Sequence, residues 1–284
     1  MRQGYLGGAL FFEKEGGITM SENIEEHTKP EWSYSRTICF DHCKYEFYLG
    51  YVINDDAQYL SEGNYYAEVG SFVHEILSKI FQNELSPDDA ALYFVENYDN
   101  SVFYKTKNSI MDKTYEACLH YFATSDFSWI NNYEILGVEL EQHFAIDGYN
   151  FVGYIDLLLR DKSDSKIVIL DHKSADYPLN QNGTIKKNQL SSFESYKKQM
   201  YLYCNSVYQR YKEFPKEIIW NHFKEGGKFV KISFDQNEYD KTIRWFIDTI
   251  KAIECEEAFE PSQDFFYCIN LCNFRNSCEY KKYT

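Results

Sequence analysis

The stretch 153–173, GYIDLLLRDKSDSKIVILDHK, holds two apolar runs that each carry an aspartate where an ordinary strand would place another hydrophobe. Asp156 interrupts the run at 155–159, and Asp171 closes the run at 167–171. Burying an unpaired carboxylate costs on the order of several kcal/mol or forces its pKa upward, so a strand keeps one only where something compensates. The polar segment 161–165, DKSDS, reads as a turn, which makes the two runs adjacent antiparallel strands and brings both carboxylates to one end of one sheet. Paired oxygen donors of this kind suit Mg²⁺ or Mn²⁺. Lys173 shares the face of Asp171, because side chains repeat every two residues along a strand, and His172 points the other way with only its backbone carbonyl available to a metal. A turn aspartate beside a surface ion pair is the alternative reading of the same residues.

Around this segment the pattern changes from helix to strand. Apolar spacing predicts a helix from about residue 33, capped by Ser33 or Ser35, a second over 70–81 with His74 near its first turns, a third opened by Pro87, and a fourth over 109–122. Strands are expected over 134–144, 149–160 and 166–173, with turns at Gly148 and 161–163. A polar loop over 174–190, a helix over 191–211, strands over 217–223 and 229–234 separated by Gly226-Gly227, and a long helix over 237–256 complete the series. The implied class is α/β, with a helical N-terminal block at 66–125, a core at 133–256 and a Cys-rich tail at 261–284, all in one domain spanning 30–284. Residues 1–29 lack periodicity and read as a structureless leader. Lys14-Glu15-Gly16-Gly17 is what a purine-rich ribosome-binding site would encode, so Met20 is the expected start of translation.

A net charge of −15 argues against a broad basic surface for duplex nucleic acid, although Lys186-Lys187, Lys197-Lys198, Lys224 and Lys228 all follow Lys173 and are expected to gather positive charge near the site. No apolar run approaches the roughly 18 residues of a membrane span, and the N-terminus has no secretion signal. The protein is therefore expected in the cytoplasm, with its eight cysteines reduced and free, buried or metal-bound. Cys118, Cys204 and Cys255 stand in apolar helical contexts and read as buried thiols. The segment 268–278, CINLCNFRNSC, gathers Cys268, Cys272 and Cys278, and a small loop of this kind is rarely held without a metal or cluster.

Taken in order, Gly70…His74, Gly153…Asp156, Asp171…Lys173 and Gln199…Tyr203 resemble the G-x-x-x-H helix, G-x-I-D strand, D-x-K strand and Q-x-x-x-Y helix of the PD-(D/E)XK nuclease superfamily, specifically its RecB-like exonuclease branch. The resemblance runs over residues 33–280. It implies a restriction-endonuclease-like core, a mixed sheet flanked by helices, and metal-dependent cleavage of DNA. It also implies that His74, Asp156 and Asp171 bind the metal, that Lys173 orients or activates the attacking water, and that Gln199 and Tyr203 position DNA. Glu139 matches a recurring family acid, with an ordinary strand salt bridge as the alternative.

Iron-sulfur members of the branch join one N-terminal cysteine to a C-terminal trio, which implies a [4Fe-4S] cluster on Cys43, Cys268, Cys272 and Cys278, with Cys39 as the alternative to Cys43. The trio here is C-x3-C-x5-C where the family usually has C-x2-C-x5-C, and Lys44 replaces the usual proline, so Zn²⁺ stays open. The implied setting is recombination, repair, phage replication or CRISPR adaptation, with a noncatalytic DNA-binding or assembly subunit as the competing reading. The chain has no G-x-x-x-x-G-K-[ST] loop, so any helicase partner is a separate protein.

Overall fold

In the computed structural model, residues 5–6, 9–10, 30–55, 65–98 and 108–280 are described. The chain divides into two units, Met1–Pro30 and Glu31–Thr284. In the first, strands β1 (Tyr5–Leu6) and β2 (Ala9–Leu10) pair antiparallel. The expected leader and the start at Met20 otherwise lie outside the described residues.

The second unit begins with α1 (Tyr34–His42), whose N-cap Ser33 accepts from the Arg36 amide at 3.1 Å, and the short α2 (Lys44–Phe47). α3 (Tyr65–Phe81) buries Val69, Val73, Ile76, Leu77 and Ile80, a stripe at helical spacing. Pro87 opens a short 3₁₀ turn, Pro87–Asp89, that leads into α4 (Ala90–Asn97), and α5 (Asn108–Thr124) follows. The sheet then forms in sequence order from β3 (Tyr133–Ile146), β4 (Tyr149–Asp161), β5 (Ile167–Lys173), β6 (Glu217–His222) and β7 (Lys228–Ser233). Every neighbouring pair is antiparallel except β5 and β6, which are parallel and connected through α6 (Leu190–Tyr211). α7 (Gln236–Glu254) and α8 (Phe265–Asn270) complete the unit.

Local chemistry explains the turns. Asp147 and Gly148 both have positive φ, 50° and 83°, the conformation that a two-residue hairpin between twisted strands requires. Asp161 accepts from the Ser163 amide at 2.8 Å and ties the β4–β5 turn. β5 is apolar throughout its first four residues because both its faces are covered. Ile167 and Ile169 pack with Phe193, Met200, Leu202 and Phe246 of α6 and α7, whereas Val168 and Leu170 pack with Val73, Ile76, Phe94 and Tyr121 of α3, α4 and α5. The sheet is thus the middle layer between two helical layers, and the N-terminal helical block forms one of them. Each fully buried Ile or Leu contributes roughly 1.5–3 kcal/mol of hydrophobic stabilisation.

One irregularity in the sheet positions the site. On β4, Phe151 and Ile155 face the α6–α7 layer, yet Leu157 and Leu159 face the α3–α5 layer and Leu158 the first again. The alternation slips by one residue at Asp156. On β3 the same slip separates Val138 from Leu140, which pair with Leu157 and Ile155, so Glu139 stands across from Asp156. Glu139 has a φ of 46°, the left-handed region that non-glycine residues rarely adopt and that clusters at functional sites. The register of the pair is unbroken across this step; the register shift of β3 lies before it, between Ile135 and Gly137.

Candidate active site

The slip gathers carboxylates where α3 crosses the sheet. His74 Nδ1 lies 3.5 Å from both Glu139 Oε1 and Asp156 Oδ2, and its Nε2 is 3.1 Å from the His172 carbonyl. One donor atom from each of His74, Glu139 and Asp156 lies within 4.8 Å of the others, the only such set among the described residues. The Asp156 carboxylate is 8% exposed and accepts from the His172 amide at 2.6 Å. Burial, then the negative charge of Asp171, raises its pKa to about 7, although His74 acts in the opposite direction. Burial alone would lower His74, but a hydrogen bond to Glu139 and the charges of Asp156 and Asp171 raise it to about 9. Crowded acids that resist ionising together are what a divalent cation relieves, and a nitrogen with two carboxylates is a donor set such ions accept. These residues fit a bound divalent metal.

Asp171, 5% exposed, sits beside this set and not within it. Lys173 Nζ lies 2.7 Å from Asp171 Oδ2 and donates to Gln199 Oε1 at 3.0 Å, with the Tyr196 ring 4.7 Å below it. Burial would lower the Lys173 pKa, but the Asp171 carboxylate more than offsets this and holds the ammonium charged. Gln199 Nε2 donates to Tyr203 Oη at 3.3 Å. Gln199 and Tyr203 are one helical turn apart on α6 and reach the α6 side of β5, the face that carries Asp171 and Lys173. Gly153 has a reason of its own, since a Cβ there would stand 2.3 Å from Tyr203 Cε1. His172 faces the opposite layer, as the strand period requires.

Of the sequence-derived set, His74, Asp156 and Glu139 meet directly, while Asp171, Lys173, Gln199 and Tyr203 form a connected chain next to them. Tyr196, three residues before Gln199 on α6, was not singled out, although helical spacing alone aligns it with Lys173's partner. Of the lysines expected to gather positive charge, Lys197 pairs with Glu194 at 2.8 Å and Glu238 at 3.6 Å and Lys228 with Glu225 at 3.7 Å, whereas Lys186 donates to the Tyr177 carbonyl at 2.7 Å and Lys198 lies 3.8 Å from the Trp245 ring centroid.

A second cluster joins α1 and α2 to the tail. Cys43 Sγ accepts from the amides of Glu46 at 3.4 Å and Ser262 at 3.3 Å, and Cys268 Sγ donates to the Ser262 carbonyl at 3.8 Å. Burial and the charges of neighbouring groups raise the thiols of Cys39, Cys268 and Cys272; Cys43 acts on all three and Cys278 on Cys268 and Cys272. Glu46, absent from the sequence reading, pins the tail by accepting from the Asn273 amide at 2.8 Å and the Tyr267 hydroxyl at 2.6 Å. No three of these sulfurs lie within 4.8 Å of one another, the spacing at which His74, Glu139 and Asp156 converge. Cys118 and Cys204 are buried as expected, but Cys255 is exposed, because it caps α7 after the last buried turn residue, Ile253.

No helix among the described residues is long and apolar enough to cross a membrane. No curated protein matches the chain in sequence. Its fold is similar to the crystal structure of a candidate exonuclease from Eubacterium rectale, at 15% identity and a TM-score of 0.51, over 95% of this chain and 97% of that one. The structure of a protein named SSO0001, also 15% identical, overlaps 76% of this chain and 98% of its own at a TM-score of 0.34, which is too low to argue from. The sequence model of the PD-(D/E)XK nuclease superfamily matches residues 31–279, which hold the whole sheet and the site just described, and the chain belongs to that superfamily.

Proposed function

We propose that this protein is a divalent-metal-dependent deoxyribonuclease acting as an exonuclease on DNA ends or single strands. The observation that carries the reading is the convergence of His74, Glu139 and Asp156 beside the Asp171–Lys173 ion pair. His74, Asp156 and Asp171, with Glu139 as a further donor, would hold Mg²⁺ or Mn²⁺. The bound cation supplies Lewis acidity at the scissile phosphate. Lys173, kept charged by Asp171 and oriented by Gln199 and Tyr196, donates a hydrogen bond to the attacking water and stabilises charge developing on the phosphate. Gln199 and Tyr203 offer an amide and a hydroxyl to the DNA backbone beside it.

Cys43, Cys268, Cys272 and Cys278 hold a [4Fe-4S] cluster that staples the chain ends in this reading, with Zn²⁺ as the alternative occupant. The setting is recombination, repair, phage replication or CRISPR adaptation, with any helicase supplied by another chain. Digestion of strands labelled at the 5′ or the 3′ end, beside labelled RNA, tests the substrate. Stepwise shortening of DNA from one end is expected, and cleavage confined to RNA would refute it. A brown anaerobic preparation absorbing near roughly 400 nm is expected of the cluster; stoichiometric zinc without iron would replace it.

A further inference from the structure

His172 lies between the two strand residues assigned to chemistry, yet its side chain enters the opposite layer, 3% exposed. Its ring stacks on Phe81 of α3, with centroids 5.9 Å apart and planes at 9°, and meets the His74 ring edge-on at 5.7 Å. Nδ1 stands 2.9 Å from Nδ2 of Asn221, its register partner on β6. The same Asn221 nitrogen donates to Tyr121 Oη of α5, also at 2.9 Å. With Asn221 Nδ2 as the shared donor, Nδ1 is the acceptor and the ring proton resides on Nε2. Asn221 is 1% and Tyr121 2% exposed, so the three groups form a buried polar chain across the α3–α5 layer. Asn221 Nδ2 makes both hydrogen bonds of the chain, while His172 Nε2 and Asn221 Oδ1 are buried with no hydrogen-bond partner among the described residues.

The backbone of His172 links this chain to the metal set. Its amide donates to Asp156 Oδ2 at 2.6 Å, and its carbonyl is 3.1 Å from His74 Nε2. One residue therefore touches two of the three converging donors through its main chain, while its side chain is fixed by Asn221 and Tyr121. We infer that His172, Asn221 and Tyr121 are positioning residues that set the orientation of Asp156 and His74, and so set metal affinity from the far side of the sheet. The side chains of Lys173 and Gln199 lie on the other face of β5, where they bond each other. Disturbing it should weaken metal binding and leave the step at saturating metal nearly intact.

The inference rests on the metal-binding reading above, and the experiment separates the two. Mn²⁺ binding by calorimetry is compared among wild type, Asn221→Leu, Tyr121→Phe and Asp156→Ala, with DNA cleavage followed against Mn²⁺ concentration. Binding is expected to vanish in Asp156→Ala, to weaken about 10- to 100-fold in Asn221→Leu, as for other outer partners of metal ligands, and to weaken less in Tyr121→Phe. Cleavage at saturating Mn²⁺ should stay within about threefold of wild type in both positioning variants. Wild-type affinity in Asn221→Leu and Tyr121→Phe, with binding lost in Asp156→Ala, would overturn the positioning chain and spare the metal reading. Unchanged binding in Asp156→Ala would overturn both. If Asn221→Leu loses its cooperative melting transition, Tyr121→Phe decides, since it removes a single oxygen: weaker binding at unchanged Tm supports the chain, and unchanged binding refutes it.

Discussion

Glu139 stands across from Asp156 at the step where β3 and β4 both exchange the helical layer they face, and His74 Nδ1 lies 3.5 Å from each carboxylate. Glu139 holds a left-handed φ of 46° to do so. A residue with a Cβ pays roughly 1 kcal/mol for that conformation, and glycine does not. Glu139→Gly is therefore expected to be more stable than Glu139→Ala by about 1 kcal/mol in urea unfolding, while both bind Mn²⁺ more weakly than wild type. Equal stability of the two variants would mean that the strain is absent.

Neutralising the buried acid should stabilise the metal-free protein. Asp156→Asn keeps an oxygen for the His172 amide and removes one of several crowded negative charges. A gain of about 1–2 kcal/mol in the absence of metal is expected, together with loss of the melting-temperature rise that Mn²⁺ gives wild type. For wild type that rise corresponds to about 2.7 kcal/mol at 100 times Kd. A metal-induced shift that persists in Asp156→Asn would place the ion elsewhere.

The pH dependence has a defined sign. Asp156 titrates at about 7 in the fold against a usual 3.8, so the metal-free protein loses stability as pH rises across that interval. His74 titrates at about 9 against a usual 6.5, so its contribution is complete below 6.5 and is lost as pH rises through 9. Both protons must leave before the donors can coordinate. Mn²⁺ affinity is expected to climb between about pH 6 and 9, with proton release visible as buffer-dependent binding heat. A flat profile would contradict the assignment of His74.

Much of this was legible in the chain itself. The apolar runs flanking DKSDS, the turn at Gly148 and the spacing of Val73, Ile76, Leu77 and Ile80 locate strands and helices because each is a local pattern. Asp171 and Lys173 share a face by strand period alone. The face exchange at Glu139 and Asp156 was not legible, because it exists only in the pairing of two strands. Nor was Glu46, whose partners lie more than two hundred residues away. Cys255 misled because an apolar helical context does not tell which residue falls past the last buried turn.

The glycine of the G-x-I-D strand has a steric test. Gly153→Ala would drive a methyl into the Tyr203 ring, at 2.3 Å from Cε1. A loss of about 1–3 kcal/mol is expected, as for other overpacked sites. Gly153→Ala with Tyr203→Leu should recover much of it in thermal unfolding. Additive losses in the double variant would show that the two positions do not meet.

Digestion of end-labelled DNA by purified wild type, Asp171→Ala and Lys173→Ala, each with Mn²⁺ and with chelator, shows whether these residues cleave DNA with a divalent metal. Wild type should cleave only with metal, and both variants should lose at least about a hundredfold in rate while melting as folded proteins, as expected when a group acting on the reacting atoms is removed. Cleavage by both variants at the wild-type rate would contradict the account.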